Sequence, residues 1–401
     1  MVGPPELFGE KNGARNIGRE GEANECLHHV SVSCLFLING LGMGNSTRCH
    51  AVIEHLAEAG CRIHVLTSGN GLAYFQNRPG IESLTPMASF YYAGTRAGIS
   101  GWSTLKSIFA LARLARAKRK QLEALLQELS PDLAVIDSEY VIGPLRRRGI
   151  PIVAINNSEV VVTEYLRNRQ EADGVRSHFW LVEFLDYLFH RTFCNQVLSP
   201  FPLPQPTRHP KFKRIGLILR PAVRKLTSHG SSQLRISPRQ LRTVVFMLSG
   251  SVPASRINFE GRTFPFAVEI VGRCGTSRDK VTFHGRLMDN LPLLARADAF
   301  VINGGYSALS EAFAFRKPVF VLPVPGHAEQ FVNARLASRL GLGFVASEDD
   351  ILDRLLAMYE QDCWIDLQPM AATFELDGDR EAAQAILDLA ENRRAGTERV
   401  V

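Results

Sequence analysis

Long apolar segments are absent from this 401-residue sequence. No run reaches the roughly 20 residues that a membrane-spanning helix needs, and residues 1–30 lack the apolar core of a signal peptide. The seven cysteines are scattered, odd in number and without Cys-x-x-Cys spacing, which argues against a disulfide framework or a zinc site. These absences predict a cytoplasmic protein from a reducing compartment, with no metal site.

A strong charge imbalance is also missing. The formal net charge is +6 and the isoelectric point is near 9.0. This excess is too mild and too dispersed to indicate a nucleic-acid partner, although it suits phosphorylated ligands or an anionic membrane surface. Hydrophobic residues make up 45% of the chain and charged residues 21%, as in globular proteins, and the length predicts two domains.

What the chain does contain is a strand–turn–helix signal near its C-terminal third. The apolar run Ala299–Ile302 predicts a buried strand, which stops at Gly304-Gly305, and helical periodicity begins at once. Such a turn directs backbone N–H groups and the positive end of a helix dipole at one point, which is an anion site. Ser307 adds a hydroxyl there, and Glu311 follows one turn later.

A second strand and turn follow directly. Val319–Pro323 predicts another buried strand, and after a turn at Pro325–His327 the next helix begins with Glu329 and Gln330. Polar groups at the carboxyl ends of neighbouring parallel strands form the ligand sites of open α/β sheets. The stretch therefore predicts a site for a phosphate and a sugar. An ordinary α/β turn, whose glycines serve only tight geometry, is the alternative.

The pattern Gly-Gly-x-Ser-x-x-x-Glu, followed by Gln-x-x-Asn in the next helix, resembles the donor-binding half of GT-B glycosyltransferases, and of MurG-type nucleotide-sugar enzymes in particular. In such enzymes the glycine turn holds the diphosphate, the helix glutamate holds the ribose, and an acid–amide pair holds the donor sugar. The resemblance thus assigns the diphosphate to Gly304, Gly305 and Ser307. It assigns the ribose to Glu311 and the donor sugar to Glu329 with Gln330.

The first half of the chain contains a strand, a glycine loop, a helix and a second strand. Val30–Ile38 predicts the first strand, the loop is Gly-x-Gly-x-Gly over residues 40–44, and Arg62–Thr67 predicts the second strand. A dinucleotide site usually has an acid about 20 positions on, at the end of the second strand, for the ribose. That strand runs into Ser68-Gly69 instead, so NAD and FAD are disfavoured and we expect no cofactor.

The same loop resembles the N-terminal loop of the GT-B enzymes, in which a histidine after the third glycine deprotonates the acceptor. Gly42 and Gly44 match the glycines of that loop, which the resemblance assigns to the acceptor side. Asn45, however, occupies the position of the histidine. An amide cannot accept a proton near neutral pH, so we expect Asn45 to orient an acceptor hydroxyl or a donor phosphate. The base must then be another residue.

Two residues are candidates for this base. Asp137 follows the predicted buried strand Asp132–Ile136 and emerges at the same sheet edge as the glycine loop. A cap on the following turn is its equal alternative. His50 lies one helical turn beyond Ser46, where a packed or surface histidine is the commoner role. Asp137 is therefore the preferred candidate.

Two more segments of the second half fit the resemblance. The small-residue loop after the predicted strand Thr243–Leu248 contains Gly250 and Ser251, which would face the donor diphosphate. Arg286 and Leu287 would lie where the family holds the uracil ring. With the glycine turn, these residues complete the predicted donor site.

Some segments admit more than one interpretation. Arg220 and Arg224 either neutralise a phosphate or are surface charges. The basic block within the helix Thr104–Leu125 is either a solvated face or a membrane-surface patch that serves a lipid-linked acceptor. Ser177–Arg191 has apolar and aromatic residues at helical spacing, which predicts a core helix.

These features predict an α/β protein of the GT-B architecture, with two Rossmann-like domains whose parallel sheets face each other across a cleft. The proline-rich segment Pro200–Pro210 marks the boundary, because it fits neither a helix nor a central strand. We expect a flexible extension at residues 1–29, an acceptor-binding domain at 30–200 and a linker at 201–213. A donor-binding domain at 214–378 and a final helix with its tail at 379–401 would follow.

The implied activity is transfer of a sugar from a UDP-linked donor to a hydroxyl of a small or lipid-linked acceptor. The resemblance implies inversion at the anomeric carbon, with helix and loop carrying the phosphate charge without a metal. Two alternatives stay open: a nucleotide-sugar epimerase or hydrolase that uses several acids with His284 or His327, or a silent nucleotide-sugar-binding protein, which Asn45 permits. We expect no nucleic-acid partner; peripheral contact with the inner face of a membrane stays open.

Overall fold

Two parallel β-sheets with helices packed on them make up the computed structural model, which describes residues 31–88, 101–229, 241–248, 257–287, 289–361 and 374–398. The described residues from Val32 onward form one compact unit that contains both sheets. Gly250, Ser251 and the N-terminal extension lie outside the described residues.

The first sheet has seven parallel strands in the order β3-β2-β1-β4-β5-β6-β7. Its central strands are buried along their whole length, because helices cover both faces and select continuous apolar runs. The strands are β1 (Ser33–Ile38), β2 (Arg62–Thr67), β3 (Ser83–Pro86), β4 (Leu133–Asp137), β5 (Ile152–Ile155), β6 (Gln196–Pro200) and β7 (Phe212–Ile215).

The second sheet has six parallel strands in the order β10-β9-β8-β11-β12-β13. In both sheets the chain first moves outward to one edge and then returns to continue on the other side of its first strand. Ligands bind at such a reversal of strand order. The strands are β8 (Thr243–Met247), β9 (Ala267–Val271), β10 (Val281–Gly285), β11 (Ala299–Ile302), β12 (Val319–Val321) and β13 (Gly343–Val345).

Helices join most successive strands, as is usual in a parallel sheet, whereas β6 and β7, and likewise β9 and β10, are joined without one in the described residues. Those of the first sheet are α1 (Met43–Glu58), α2 (Gly69–Phe75), α3 (Gly101–Glu128), α4 (Gly143–Arg147), α5 (Ser158–Arg167), α6 (Arg176–His178) and α7 (Phe184–Phe193). The later ones are α8 (Pro221–His229), α9 (Leu291–Arg296), α10 (Tyr306–Ala314), α11 (Ala328–Arg339), α12 (Ile351–Glu360) and α13 (Gly378–Glu398).

The strand register brings the predicted loops to the reversal points. Ile38 at the end of β1 pairs with Asp137 at the end of β4, and Ile302 at the end of β11 pairs with Met247 at the end of β8. The glycine loop after β1 and the glycine turn after β11 therefore leave their sheets at the carboxyl edges where α/β sheets bind ligands.

The boundary between the two halves differs from the expected one. We expected the second half to begin at Arg214, after a linker over residues 201–213. The strand Phe212–Ile215 instead pairs in parallel with β6 and closes the edge of the first sheet. The proline-rich segment thus connects two neighbouring strands of one sheet, and the chain enters the second half only after Ile215.

The last helix returns to the first half. Ala382 and Ile386 of α13 belong to the same apolar cluster as Ile53 and Leu56 of α1. Asp379, fully buried at the start of α13, lies 3.0 Å from His55 Nε2 and also pairs with Arg224. Arg224 is therefore a structural ion-pair partner rather than a phosphate ligand.

The segment predicted as a core helix over residues 177–191 is only partly buried. It breaks into α6, a π-helical turn at Phe179–Glu183, and α7. Phe179 is buried and stacks on Tyr165. The neighbouring apolar side chains are exposed, with 45%, 70%, 48% and 53% of Trp180, Leu181, Val182 and Leu185 accessible. No helix in the described ranges combines the length and apolarity needed to cross a bilayer.

Candidate functional site

The two glycine segments meet face to face. A Cβ atom on Gly44 would lie 2.8 Å from Ser307 Oγ, so the start of α1 approaches the start of α10 as closely as a residue without a side chain allows. Gly42 caps α1, and Gly305 caps α10. Both helix N-termini therefore open on the same space between the sheets, where their dipoles favour an anion.

A cavity of about 360 Å³ lies beside this contact. We call it the α10 cavity. Predicted residues from both halves line it: Gly44, Leu287, Gly305, Ser307, Glu311 and Gln330. A larger cavity of about 790 Å³, elsewhere in the second half, contains none of the predicted residues.

Backbone geometry explains the glycines of the α10 turn. Gly304 has a φ of +84°, and a Cβ there would come within 3.1 Å of the Gln330 carbonyl oxygen, so a side chain would be strained and crowded. Asn333 donates a 2.8 Å hydrogen bond to the Gly304 carbonyl and fixes the turn. A Cβ on Gly305 would meet nothing within 4 Å, so this position borders open space.

Glu311 carries an ion pair on the cavity wall. Arg220 Nε lies 2.8 Å from Glu311 Oε1, and Arg220 also donates a 2.6 Å hydrogen bond to Asn290 Oδ1. Burial raises the pKa of the Glu311 carboxyl, and the charge of Arg220 opposes that rise. The wall therefore offers both an acceptor for hydroxyl groups and a guanidinium for an anion.

Glu329 and Gln330 face different spaces. Gln330 lines the α10 cavity, and its Oε1 accepts a 2.9 Å hydrogen bond from the Val324 N–H. Glu329 accepts a 3.1 Å hydrogen bond from Asn157 Nδ2 in the first half and lines a second cavity. Adjacent positions on a helix point about 100° apart, which separates the pair.

The two residues predicted at the uracil site also lie in different places. Leu287 lines the α10 cavity as an apolar wall. Arg286 is exposed and donates to Asn70 Oδ1 of the first half. Arg286 is therefore a surface link between the halves, and only Leu287 is in a position to cover a ring.

The second cavity, of about 580 Å³, adjoins the first and shares Gly44, Gly305, Ser307 and Ala308 with it. We call it the α7 cavity. Ionisable and polar side chains of both halves line it: Asn45, Arg48, Ser138, Tyr140, Asn156, Asn157, His178, Glu183, Asp186, His327 and Glu329. A reacting group bound in one cavity could therefore meet a group bound in the other near Ser307.

Asp137 does not have the geometry of the predicted base. Its side chain is fully buried, and Arg48 donates to both carboxylate oxygens over 2.5 Å each. Cys49 Sγ and Ser138 Oγ lie 3.4 and 3.2 Å from the same carboxylate. The carboxylate is thus surrounded by donors, so it positions Arg48 and cannot reach an acceptor hydroxyl without losing that pair.

His50 is a packed histidine, as its commoner role suggested. It is 3% exposed and lies edge-on to the rings of Tyr74 and Phe75, with Nδ1 3.2 Å from the Tyr74 hydroxyl. Burial, followed by the charge of Arg78, lowers its pKa to about 4. His50 does not line either cavity.

Asn45 keeps its predicted position. It lines the α7 cavity, and its Nδ2 donates a 3.3 Å hydrogen bond to the Asn39 carbonyl. That bond leaves the amide oxygen as an acceptor at the start of α1, where it suits the orientation of a hydroxyl group.

A group of ionisable residues around the π-helical turn was not predicted from the sequence. Burial, and after it the neighbouring carboxylates Glu329 and Asp186, raise the pKa of Glu183 to about 8. Burial would also raise the pKa of Asp186, but hydrogen bonds from His190, Tyr140 and Asn156 outweigh it and hold that pKa below its usual range. The sequence signal for this group was a set of polar residues at helical spacing within a segment that is otherwise aromatic.

Comparison with known proteins shows the family of this chain. The sequence model of glycosyl transferase family 1 matches residues 32–182 and 281–361, which is more than half of the chain and includes both glycine segments. An uncharacterized glycosyltransferase of Methanosarcina acetivorans is 24% identical over 334 residues, which cover 78% of this chain and 85% of that protein.

Two further proteins extend the comparison. The UDP-N-acetylglucosamine--N-acetylmuramyl-(pentapeptide) pyrophosphoryl-undecaprenol N-acetylglucosamine transferase of Geobacillus thermodenitrificans is 24% identical over 220 residues, 50% of this chain and 61% of that enzyme. The crystal structure of the glycosyltransferase SnogD from Streptomyces nogalater superposes with a TM-score of 0.58 at 16% identity, over 90% of this chain and 99% of SnogD. By sequence match and by architecture, the chain belongs to glycosyl transferase family 1 and is a glycosyltransferase of the GT-B fold.

Proposed function

We propose that this glycosyltransferase takes its sugar from a UDP-linked donor bound in the α10 cavity and transfers it, with inversion, to a hydroxyl held in the α7 cavity. One observation carries the proposal. The N-terminus of α10, the Ser307 hydroxyl and the Arg220 guanidinium border the same 360 Å³ space, at the point where Gly44 approaches from the other half.

These groups suit a departing diphosphate. Negative charge develops on the leaving phosphate as the glycosidic bond breaks, and preorganised N–H groups, hydroxyls and cations stabilise it most in a site that excludes water. The N-terminus of α10 supplies positive charge from a fixed position. The Arg220 guanidinium, although paired with Glu311, borders the same cavity. In this proposal no metal ion is needed on the diphosphate.

The remaining walls suit the other parts of the donor. Glu311 would accept hydrogen bonds from the ribose hydroxyls, and Leu287 would cover the base. Gln330 would contact the sugar with its amide N–H, since its Oε1 already accepts from Val324. Uridine is the proposed nucleoside because the Geobacillus relative is named for a UDP-N-acetylglucosamine donor.

Inversion is part of the proposal. The two cavities meet at Gly44, Gly305, Ser307 and Ala308, so a hydroxyl in the α7 cavity lies next to the donor bound in the α10 cavity. An attack in line with the leaving group inverts the anomeric carbon. Asn45 would orient the hydroxyl, and an ionisable group of the α7 cavity would take its proton.

An acceptor with an apolar part is favoured by the surface beside the α7 cavity. Val182 lines that cavity and is also exposed, next to Trp180, Leu181 and Leu185. Exposed apolar groups that adjoin a polar cavity suit a lipid-linked acceptor presented at a membrane surface. The Geobacillus relative is named for such a pyrophosphoryl-undecaprenol acceptor.

Calorimetric titration with UDP, dTDP, GDP and NAD tests the donor. We expect micromolar binding of UDP in preference to the others. Glu311→Ala should weaken UDP binding by about 1–3 kcal/mol, because a buried hydrogen-bonding partner of the ribose is lost. Glu360→Ala, an exposed glutamate at the end of α12, is the control and should bind UDP normally. Preference for NAD, or unchanged affinity in Glu311→Ala, would refute the donor site.

Donor hydrolysis is a second candidate activity, because Glu183, Asp186 and Glu329 converge with His327 in the α7 cavity. Release of free sugar from the UDP-linked donor without any acceptor, at a rate comparable to transfer, would favour hydrolysis. Turnover only when an acceptor hydroxyl is present would favour transfer.

A further inference from the structure

We propose that His178, Glu183 and His327 bind one divalent transition-metal ion, best matched by Zn²⁺, on the wall of the α7 cavity. One ligand atom from each of the three side chains lies within 4.8 Å of the others. Within the described ranges this is the one group of three histidine, cysteine or carboxylate side chains that meets this distance. Two imidazoles and one carboxylate are a ligand set that zinc uses in proteins, with an open fourth position.

The π-helical turn gives the site its local geometry. His178 precedes the turn and Glu183 ends it, five residues later. In a π-helix, residues five positions apart lie on the same side, and His178 Nδ1 is 3.5 Å from Glu183 Oε1. A regular α-helix would turn these two side chains apart, so the irregular turn produces the pair.

The third ligand comes from the other half of the molecule. His327 caps α11, and its ring centroid lies 4.9 Å from that of His178. An ion held by the three side chains would therefore connect the first sheet's helices to the second sheet. It would also lie on the α7 side of Ser307, away from the walls of the α10 cavity.

The charges around Glu183 also favour a cation. Glu183 is 8% exposed, and the charges that act on it are those of Glu329 and Asp186, both negative. The guanidinium at this cavity, that of Arg48, already binds both oxygens of Asp137. A buried carboxylate among other carboxylates is costly unless a cation or a proton compensates it.

Existing hydrogen bonds at the two imidazoles are weak competitors. The Ala328 N–H lies 3.4 Å from His178 Nδ1, and the Gln330 N–H lies 3.5 Å from His327 Nδ1. Both distances are at the long end for a hydrogen bond. Ligand atoms around a tetrahedral zinc lie about 3.3 Å apart, so binding requires a movement of about 1.5 Å by side chains that border a cavity.

An ion at this position has a consequence for the reaction. A coordinated hydroxyl loses its proton more readily than a free one, because the cation stabilises the oxyanion. The ion would thus make the acceptor hydroxyl more acidic, and its proton would pass to Glu329 on the wall of the same cavity, since Asn45 cannot act as a base. This consequence rests on the proposed transfer reaction, whereas the binding of the ion does not.

The test uses the full chain after treatment with a chelator and its removal. Zn²⁺ is titrated calorimetrically, and Co²⁺ is titrated by visible absorption, which reports tetrahedral coordination. We expect one tight equivalent in the unmodified protein. Glu183→Gln and His327→Gln should each weaken binding of that equivalent at least about tenfold, since loss of even an outer-shell partner of a metal ligand costs that much, and should abolish the tetrahedral spectrum.

His284→Gln is the matched control, since His284 pairs with Glu269 at 2.6 Å in the second half and belongs to neither cavity. It should bind Zn²⁺ like the unmodified protein. UDP affinity is measured in all variants, because normal UDP binding shows a folded protein and separates this proposal from the donor proposal. Absence of a tight equivalent in the unmodified protein, or its full retention in Glu183→Gln and His327→Gln, would overturn the site.

Discussion

Arg48 of α1 binds both carboxylate oxygens of Asp137 at the end of β4, over 2.5 Å on each side. The two residues are 89 positions apart in sequence and are joined only because β1 and β4 are neighbours. The pair fixes the start of α1, and with it Gly44 and Asn45, against the sheet edge. A residue that sequence position suggested as a base is therefore part of the framework of the glycine loop.

Asp137→Asn should destabilise the protein strongly. The substitution leaves the largely buried Arg48 guanidinium without its counter-charge, and breaking a buried pair in this way costs about 3–5 kcal/mol. Urea unfolding at neutral pH measures the loss. Asp353→Asn, which breaks the exposed pair with Arg262, is the control and should leave the free energy of unfolding nearly unchanged. Equal losses in the two variants would show that Asp137 is not a structural residue.

Gly44→Ala should weaken donor binding. The added Cβ would lie 2.8 Å from Ser307 Oγ and 3.3 Å from Ser307 Cβ, so the two glycine segments must separate. Such crowding costs about 1–3 kcal/mol, and titration with UDP measures it. A Cβ on Gly42 meets nothing within 4 Å, so Gly42→Ala should bind UDP normally. The double variant Gly44→Ala, Ser307→Gly should relieve the crowding, although it also removes the Ser307 hydroxyl. Normal affinity of Gly44→Ala for UDP would contradict the close contact between Gly44 and Ser307.

His50 should make stability fall as the pH is lowered from 7 to 5. The folded state keeps His50 neutral down to its pKa of about 4, whereas the unfolded chain takes up a proton near pH 6.5. The unfolded state thus binds more protons in this window, and the contribution of His50 is present above pH 6.5 and lost below it. Between pH 7 and pH 5 this loss in the free energy of unfolding amounts to about 2 kcal/mol.

His50→Gln is the comparison that isolates this effect, because other groups titrate in the same window. Urea unfolding at pH 7 and pH 5 should show a smaller loss in the variant than in the unmodified protein, by about 2 kcal/mol. The same loss in both proteins would mean that His50 is not held neutral by burial.

Replacement of Leu181 and Leu185 by serine should reduce association with membranes. These side chains are the most exposed of the apolar group beside the α7 cavity. Each leucine removed from an interfacial surface forfeits part of the apolar burial that holds it there. Sedimentation with vesicles that contain anionic phospholipid measures the change. Leu226→Ser, on α8, is the control for an exposed leucine elsewhere, and equal binding by all proteins would reject this surface.

Some parts of the protein follow from local sequence. The strands β1 and β11 are apolar runs covered on both faces, so composition alone identifies them. The turn at Gly304-Gly305 is equally local, because the strand, the turn and the helix that form the proposed anion site lie within about a dozen consecutive residues. Chemistry of this kind can be predicted, since the residues that make it are neighbours in the chain.

Other parts were decided by contacts between distant residues. Glu329 and Gln330 are adjacent in sequence but face different cavities, and Arg220 reaches Glu311 across 91 positions. The strand Phe212–Ile215 follows a proline-rich segment that local propensity marks as a boundary, yet it completes the first sheet by pairing with β6.

Amino-acid sequence by itself therefore determined buried strands such as β1 and β11 and the glycine turns that the proposed function assigns to an anion. Tertiary structure alone decided which charged groups are available to a ligand and which are already paired, as Asp137 and Glu183 illustrate. The physical reason is that a carboxylate's role depends on its burial and on the charges around it, and these come from helices and loops far away in the chain.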